Sequence, residues 1–358
     1  MKNPLETPFY YGFDYLRASM VLVVVAIHTK LFGPSHVFGT YYDNNISIIN
    51  VINLYFLPLA VPVFFLISLF LFIVKTNSDN RYFFYRLRRL AYLYLFWVVL
   101  WSMHKGDLTT LFQVLNGGIK SVVVFIVSAG SSAFYFFFSL LVLTALSLLF
   151  TKLPHYVWWA LGAISVTLLW WSTLTVLNTR SHYWLVAFWN PINFLPYVFV
   201  ASLAAWHLKN NAVIQNTLFI KITVLFLFLS FIIVSVYEGQ SIANAIRLQN
   251  HTDSSSFYQG LSDITGVFYT RTSVLIGASL IFLLSFFVHR PPNAWIKVLS
   301  DNSLGIYCIH VFVLDAYLHI ARVSGGVFYG VILRFVVVLA VSIVLTTGIR
   351  RTFKTQLI

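Results

Sequence analysis

The chain has 358 residues, 59% of them hydrophobic and only 9% charged, with a mean hydropathy of +0.83. So apolar a composition excludes a soluble globular domain and requires a polytopic membrane protein. The net charge of +13 would suggest nucleic acid in a soluble protein, but here it has first to be weighed against loop placement.

In chain order, apolar runs of spanning length fall at about 13–33, 50–74, 90–104, 134–151, 156–176, 191–206, 218–237, 263–288, 303–320 and 327–349, which predicts an all-α protein of about ten transmembrane helices. The first reads as a retained helix, since Lys2 alone precedes it among cations and no small-residue cleavage site follows. It also carries ionisable residues, in FDYLRASMVLVVVAIHTK. From Arg17 to His28 a helix turns through three circles plus about 20° and rises about 16 Å, so both lie on one stripe. Asp14 is next to Arg17 on that face, where a carboxylate can pair with the guanidinium. An acid, an arginine and a histidine aligned in a membrane helix mark a pathway or an active site. The plainer reading puts Asp14 and Arg17 at one headgroup level and His28 at the other.

Ahead of the third run stands RYFFYRLRRLAYLYLFW, with Arg81, Arg86, Arg88 and Arg89. Arg86 and Arg89 share a face at i, i+3, and arginine forks suit phosphate oxygens, so a CoA or nucleotide tail is one candidate ligand. Topology and attraction to anionic lipid account for the same cluster in another way. The loop 105–133, with paired glycines around an apolar middle, could dip back into the membrane, and the loop 238–262 is expected to cover the outer face.

Arg271 and Arg334 stand about eight residues inside the outer ends of the eighth and tenth runs, where neither is expected to face lipid. They would bind a polar or anionic acceptor, or pair with Asp263 or Asp315. His310 and Asp315 have the H-x4-D spacing of glycerolipid acyltransferases, but five residues leave them about 140° apart on a regular helix, so they are not expected to meet. The single cysteine, Cys308, excludes an intramolecular disulfide and a cysteine-based metal cluster. There is no H-E-x-x-H, Walker loop, G-x-G-x-x-G or G-x-S-x-G, so metal, nucleotide-hydrolysis and serine-hydrolase chemistry have no anchor.

Lysine and arginine concentrate in the segments that lie inside if the N-terminus is inside: Lys75 and the cluster Arg81 to Arg89, then Arg290, Lys297, Arg350, Arg351 and Lys354. The positive-inside rule then sets both termini inside. That placement explains much of the charge without nucleic acid. No repeat, low-complexity tract or appended soluble domain is visible, so residues 1–358 are expected to form one transmembrane domain.

The pattern resembles the acyltransferase-3 family, membrane enzymes that move acyl groups, mostly acetyl, from acyl-CoA onto bacterial surface glycans and other small acceptors. The family's D-x-L-R opening and R-x10-H spacing stand here as FDYLRASMVLVVVAIH, its second-helix signature as VPVFFLISLF, its R-x-x-R as Arg86 and Arg89, its sixth-helix signature as NPINFLPYVFVAS, and its S-x-G-I-Y-x-x-H as NSLGIYCIH. Leu69 takes the usual glycine position in the second of these. The resemblance implies that Arg17 and His28 are essential, with no metal.

It further implies a bacterial inner-membrane protein that works on an O-antigen-like glycan or its lipid-linked precursor. Acetyl would come from cytosolic acetyl-CoA, held by Arg86 and Arg89. His28 would act as general base and Asp14 would orient Arg17. The rival is a transporter of lipid-linked sugar or protons that uses Asp14, Arg17 and His28 as a relay. It predicts repeats with broken helices at matching positions, and none is visible.

Overall fold

The computed structural model describes residues 10–32, 51–76, 81–106, 114, 116–179, 187–210, 218–250, 269, 271–323 and 330–353. Its helices are α1 (Tyr11–His28), α2 (Ala60–Thr76), α3 (Arg81–Lys105), α4 (Gly118–Ser128), α5 (Tyr135–Lys152), α6 (His155–Thr179), α7 (Leu195–Asn210), α8 (Leu218–Asn250), α9 (Thr272–Ser285), α10 (Ala294–Asp301), α11 (Ser303–Val323) and α12 (Val331–Phe353). No strand occurs among the described residues. Among the described residues six candidate spans are long and apolar enough to cross a membrane.

Each expected run overlaps a helix, with three departures. The helix expected to end near 237 continues to Asn250, so half of the expected outer loop is helical and 251–262 lies outside the described residues. The eighth run was expected to begin at 263; 263–268 is outside the described residues, and α9 begins at Thr272. An unexpected helix, α10, starts where Asn293, after a proline pair that cannot continue a helix, accepts from the Ile296 amide at 2.9 Å.

Lipid supplies no hydrophobic force between helices, so packing and hydrogen bonds hold the bundle together. α1 packs against α2, α9, α10, α11 and α12, and an aromatic knot fixes its start. Phe13 meets Phe70 of α2 at 5.5 Å and Phe286 at 5.4 Å, both edge-on, while stacking on Phe282 at 5.7 Å. Edge-on pairs contribute about 0.5–1.5 kcal/mol each beyond burial. Gly12 permits the approach, since a Cβ there would lie 1.9 Å from the Ser285 carbonyl oxygen. The seam that carries Arg17 and His28 is therefore held at the centre of the bundle. By contrast α8 and α12 expose long apolar faces, with Phe226, Ile233, Ile332 and Val344 among them.

Of the segment 105–133, the described part from 118 to 133 turns back into the bundle. The Tyr94 hydroxyl donates to the Ile126 carbonyl at 2.6 Å, which puts the end of α4 about 16 Å below the Lys105 end of α3. There Ala129, Gly130 and Ser131 turn the chain with φ of 50°, 63° and 57°. Left-handed geometry costs about 1–3 kcal/mol at a non-glycine residue and persists only where the surroundings impose it. Here the amides of Gly130 and Ser131 are tied to the Phe125 carbonyl and the Ser128 hydroxyl at 3.0 and 3.2 Å.

Candidate active site

Two cavities lie along α1. The first, of about 460 Å³, is lined by Arg17, Arg86, Arg89 and Arg350, with Ser68, Tyr82, Tyr85, Asp301 and Tyr307 around them. The second, of about 320 Å³, is lined by His28, Lys30, Asn53, Ser131, Ser132, Tyr135, Tyr269 and again Tyr307. Tyr307, only 5% exposed, is a wall shared by both, and its hydroxyl donates to the Ala133 carbonyl of the turned-back segment.

The arginine cavity sorts the basic cluster of α3. Arg86 and Arg89 are half-buried and line it, whereas Arg81 and Arg88 are exposed. Arg86 donates to the Ser68 carbonyl at 3.1 Å and to its hydroxyl at 2.6 Å, so the serine of VPVFFLIS meets the first arginine of R-x-x-R. The acceptors are neutral and leave the guanidinium charge uncompensated. Arg89 Nε is buried without a hydrogen-bond partner. A site rich in unneutralised guanidinium groups suits a phosphorylated ligand.

Asp14 does not form the expected ion pair with Arg17. Its buried carboxylate accepts from the Ser300 hydroxyl at 2.6 Å and meets Lys297 Nζ at 3.4 Å, because α10 packs on the same face of α1 and brings shorter reaches than the guanidinium one turn away. Hydrogen bonding to Asp301, followed by the proximity of Asp14, raises the Lys297 ammonium above its usual value. Arg17 is thereby left facing the cavity. Asp14 fastens α10 to α1, and α10 adds Ser300 and Asp301 to the lining of that cavity.

At the other end His28 is accessible through its cavity, and its ring lies against that of His310, with centroids 4.9 Å apart. His310 is fully buried and its Nδ1 lies 3.0 Å from the Ile306 carbonyl. A carbonyl only accepts, so Nδ1 carries the proton and Nε2 holds a lone pair in the neutral ring. That Nε2 is buried without a hydrogen-bond partner. Sequence reasoning judged His310 only against Asp315, which instead meets His104 at 2.9 Å and Lys105 at 2.7 Å. The closing histidine of S-x-G-I-Y-x-x-H was the available signal.

Arg271 and Arg334 line neither cavity. Arg271 is 2% exposed, donates to the Leu54 carbonyl and lies over the Tyr55 ring at 5.5 Å. That carbonyl sits in the irregular turn before α2, where regular pairing is interrupted, so the guanidinium is engaged in holding the fold. The expected partner Asp263 lies outside the described residues, and Asp315 is paired elsewhere. Among the described residues no group of three histidine, cysteine or acidic side chains is placed to hold a metal ion.

A model of the acyltransferase-3 family, described as an acyltransferase domain, matches residues 10–351. The chain belongs to that family and is an integral-membrane acyltransferase. No curated protein and no solved structure matches it.

Proposed function

We propose that this acyltransferase-3 protein transfers an acetyl group from cytosolic acetyl-CoA to a hydroxyl of a cell-surface glycan or its lipid-linked precursor, with His28 as general base. In this reading the helices make ten crossings of a bacterial inner membrane with both termini in the cytoplasm, and the arginine cavity opens to the cytoplasm. The observation that carries the reading is the pair of cavities meeting at Tyr307, one lined with four guanidinium groups and the other with His28, a single lysine, Lys30, and neutral polar side chains.

The donor enters at the arginine end. Arg86 and Arg89 hold its phosphates, and the pantetheine arm passes Arg17 and Tyr307 over the roughly 16 Å to His28. The acceptor hydroxyl sits in the second cavity, among Ser131, Ser132, Asn53 and Tyr269. His28 takes its proton as the oxygen attacks the thioester carbonyl carbon, and the tetrahedral intermediate then expels the thiolate. The C–S bond breaks, an ester forms, and the proton passes from His28 to the CoA sulfur. In this reading the His310 ring, which lies against that of His28 with its Nε2 lone pair unmet, accepts a hydrogen bond from His28 during the reaction and so fixes which nitrogen of His28 is the base.

The test is thioester turnover by the purified chain in nanodiscs. Acetyl-CoA should yield free CoA together with acetylated glycan when a polysaccharide precursor is supplied. Passage of labelled lipid-linked sugar or protons across the same nanodisc-reconstituted or liposomal membrane without thioester cleavage would overturn the reading in favour of transport.

A further inference from the structure

Arg350 lies in the last turn of α12, far in sequence from every other residue assigned to the donor, yet it lines the arginine cavity. Its Nη1 donates to the Asp301 carbonyl and, at 3.2 Å, to the amide oxygen of Asn302, at the junction of α10 and α11. The orientation of that amide is set from the other side, since its nitrogen donates to the Val298 carbonyl at 2.8 Å. Both acceptors are neutral, so Arg350 is held in place without being neutralised. The nearby Asp301 carboxylate meets Lys297 at 3.1 Å. Both bonds leave from Nη1, and the Nε and Nη2 edge remains for a ligand; this edge is the geometry with which arginine grips phosphate side-on. The neighbouring Arg351 is exposed and does not line the cavity, so topology alone does not account for where Arg350 points.

The cations of the cavity differ in exposure: Arg350 is exposed, Arg17, Arg86 and Arg89 are half-buried, and Tyr307 beside them is buried. Among the described residues of this lining Asp301 is the sole carboxylate against four arginines. A ligand with one phosphate group would leave either Arg350 on α12 or the Arg86 and Arg89 pair on α3 unused. CoA has two anionic stations, the diphosphate toward the pantetheine arm and the 3′-phosphate on the ribose at its far end.

We propose that Arg350, held by Asn302 and the Asp301 carbonyl, forms a terminal-phosphate subsite that binds the 3′-phosphate of CoA and makes the enzyme select CoA over its 3′-dephospho form. The inference rests on the acetyl-CoA reading above and adds the residue that discriminates between donors.

The experiment measures binding of CoA and dephospho-CoA to the purified full chain by calorimetry, and KM for their acetyl thioesters. A charge-assisted contact is worth roughly tenfold or more in affinity, so the wild-type protein should bind CoA at least about tenfold more tightly. Arg350→Gln should abolish that ratio by weakening CoA while leaving dephospho-CoA unchanged, and Arg351→Gln should preserve it. Arg350→Lys keeps the charge without the fork and should retain part of the preference, which supplies a reading if the glutamine variant does not fold. Equal wild-type affinity for the two ligands, equal weakening of both by Arg350→Gln, or an unchanged ratio in Arg350→Lys would overturn the subsite and leave the acetyl-CoA reading standing. Failure of wild-type protein to bind either ligand would instead remove that reading itself.

Discussion

The two cavities that meet at Tyr307 are built from different materials. The arginine cavity has helical walls: α1, α2, α3, α5, α10, α11 and α12 each present side chains from regular turns, and its charge comes from four arginines, of which Arg86 and Arg350 are anchored by neutral acceptors. The His28 cavity is walled largely where helices stop. Lys30 and Phe32 follow α1, Leu57 and Pro58 belong to the 3-10 turn before α2, and Ser131 to Ala133 form the tight turn before α5. In a bilayer, irregular backbone is tolerated where it is buried in protein or lines a polar cavity, because nothing in lipid pairs its amides and carbonyls. Four guanidinium groups at one end, against one lysine among hydroxyl and amide groups at the other, suit a multiply charged anionic ligand at the first and a hydroxyl-rich one at the second.

The sharpest way to break that comparison is at His28. His28→Ala should reduce acetyl transfer by about 10²- to 10⁴-fold, while calorimetric affinity for CoA changes less than about threefold, since the phosphates lie in the other cavity. Loss of CoA binding in this variant would merge the two cavities into one site. A smaller effect is expected from Arg86→Ala combined with Arg89→Ala. It should raise KM for acetyl-CoA by about 100-fold, from two charge-assisted contacts, and leave KM for the glycan acceptor unchanged. Equal rises for donor and acceptor would return the cluster to a role in topology alone.

The smallest effect on catalysis is expected at Arg271, which touches neither cavity. Arg271→Ala should lower stability by about 1–3 kcal/mol through the buried Leu54 carbonyl it leaves unsatisfied, read as a lower melting temperature in detergent. Turnover per folded molecule and both KM values should stay within about twofold. A specific rise in acceptor KM at unchanged stability would restore Arg271 to the acceptor site.

Much of this was legible before any fold was known. The ten apolar runs, the shared stripe of Arg17 and His28, the pairing of Arg86 with Arg89 and the returning segment near 118–133 all follow from spacing and composition. The Asp14–Arg17 ion pair did not survive, because proximity along one helix competes with whatever helix packs on it, and α10 brought Ser300 and Lys297 nearer. His310 was set aside for a correct reason, its angle from Asp315, although its partner lay on α1. Arg350 was read only as a topogenic cation, since nothing near it in sequence marks a cavity.

By itself the sequence determined that the chain belongs in lipid and which ten apolar stretches contain its long helices. A bilayer leaves the backbone little choice but internal pairing, so run length and helical period carry that information locally. Tertiary structure alone decided which cations face inward, that Tyr307 stands between two cavities, and that His28 and His310 touch. Those relations join residues hundreds of positions apart, and side-chain packing between helices, not periodicity within them, sets such pairs.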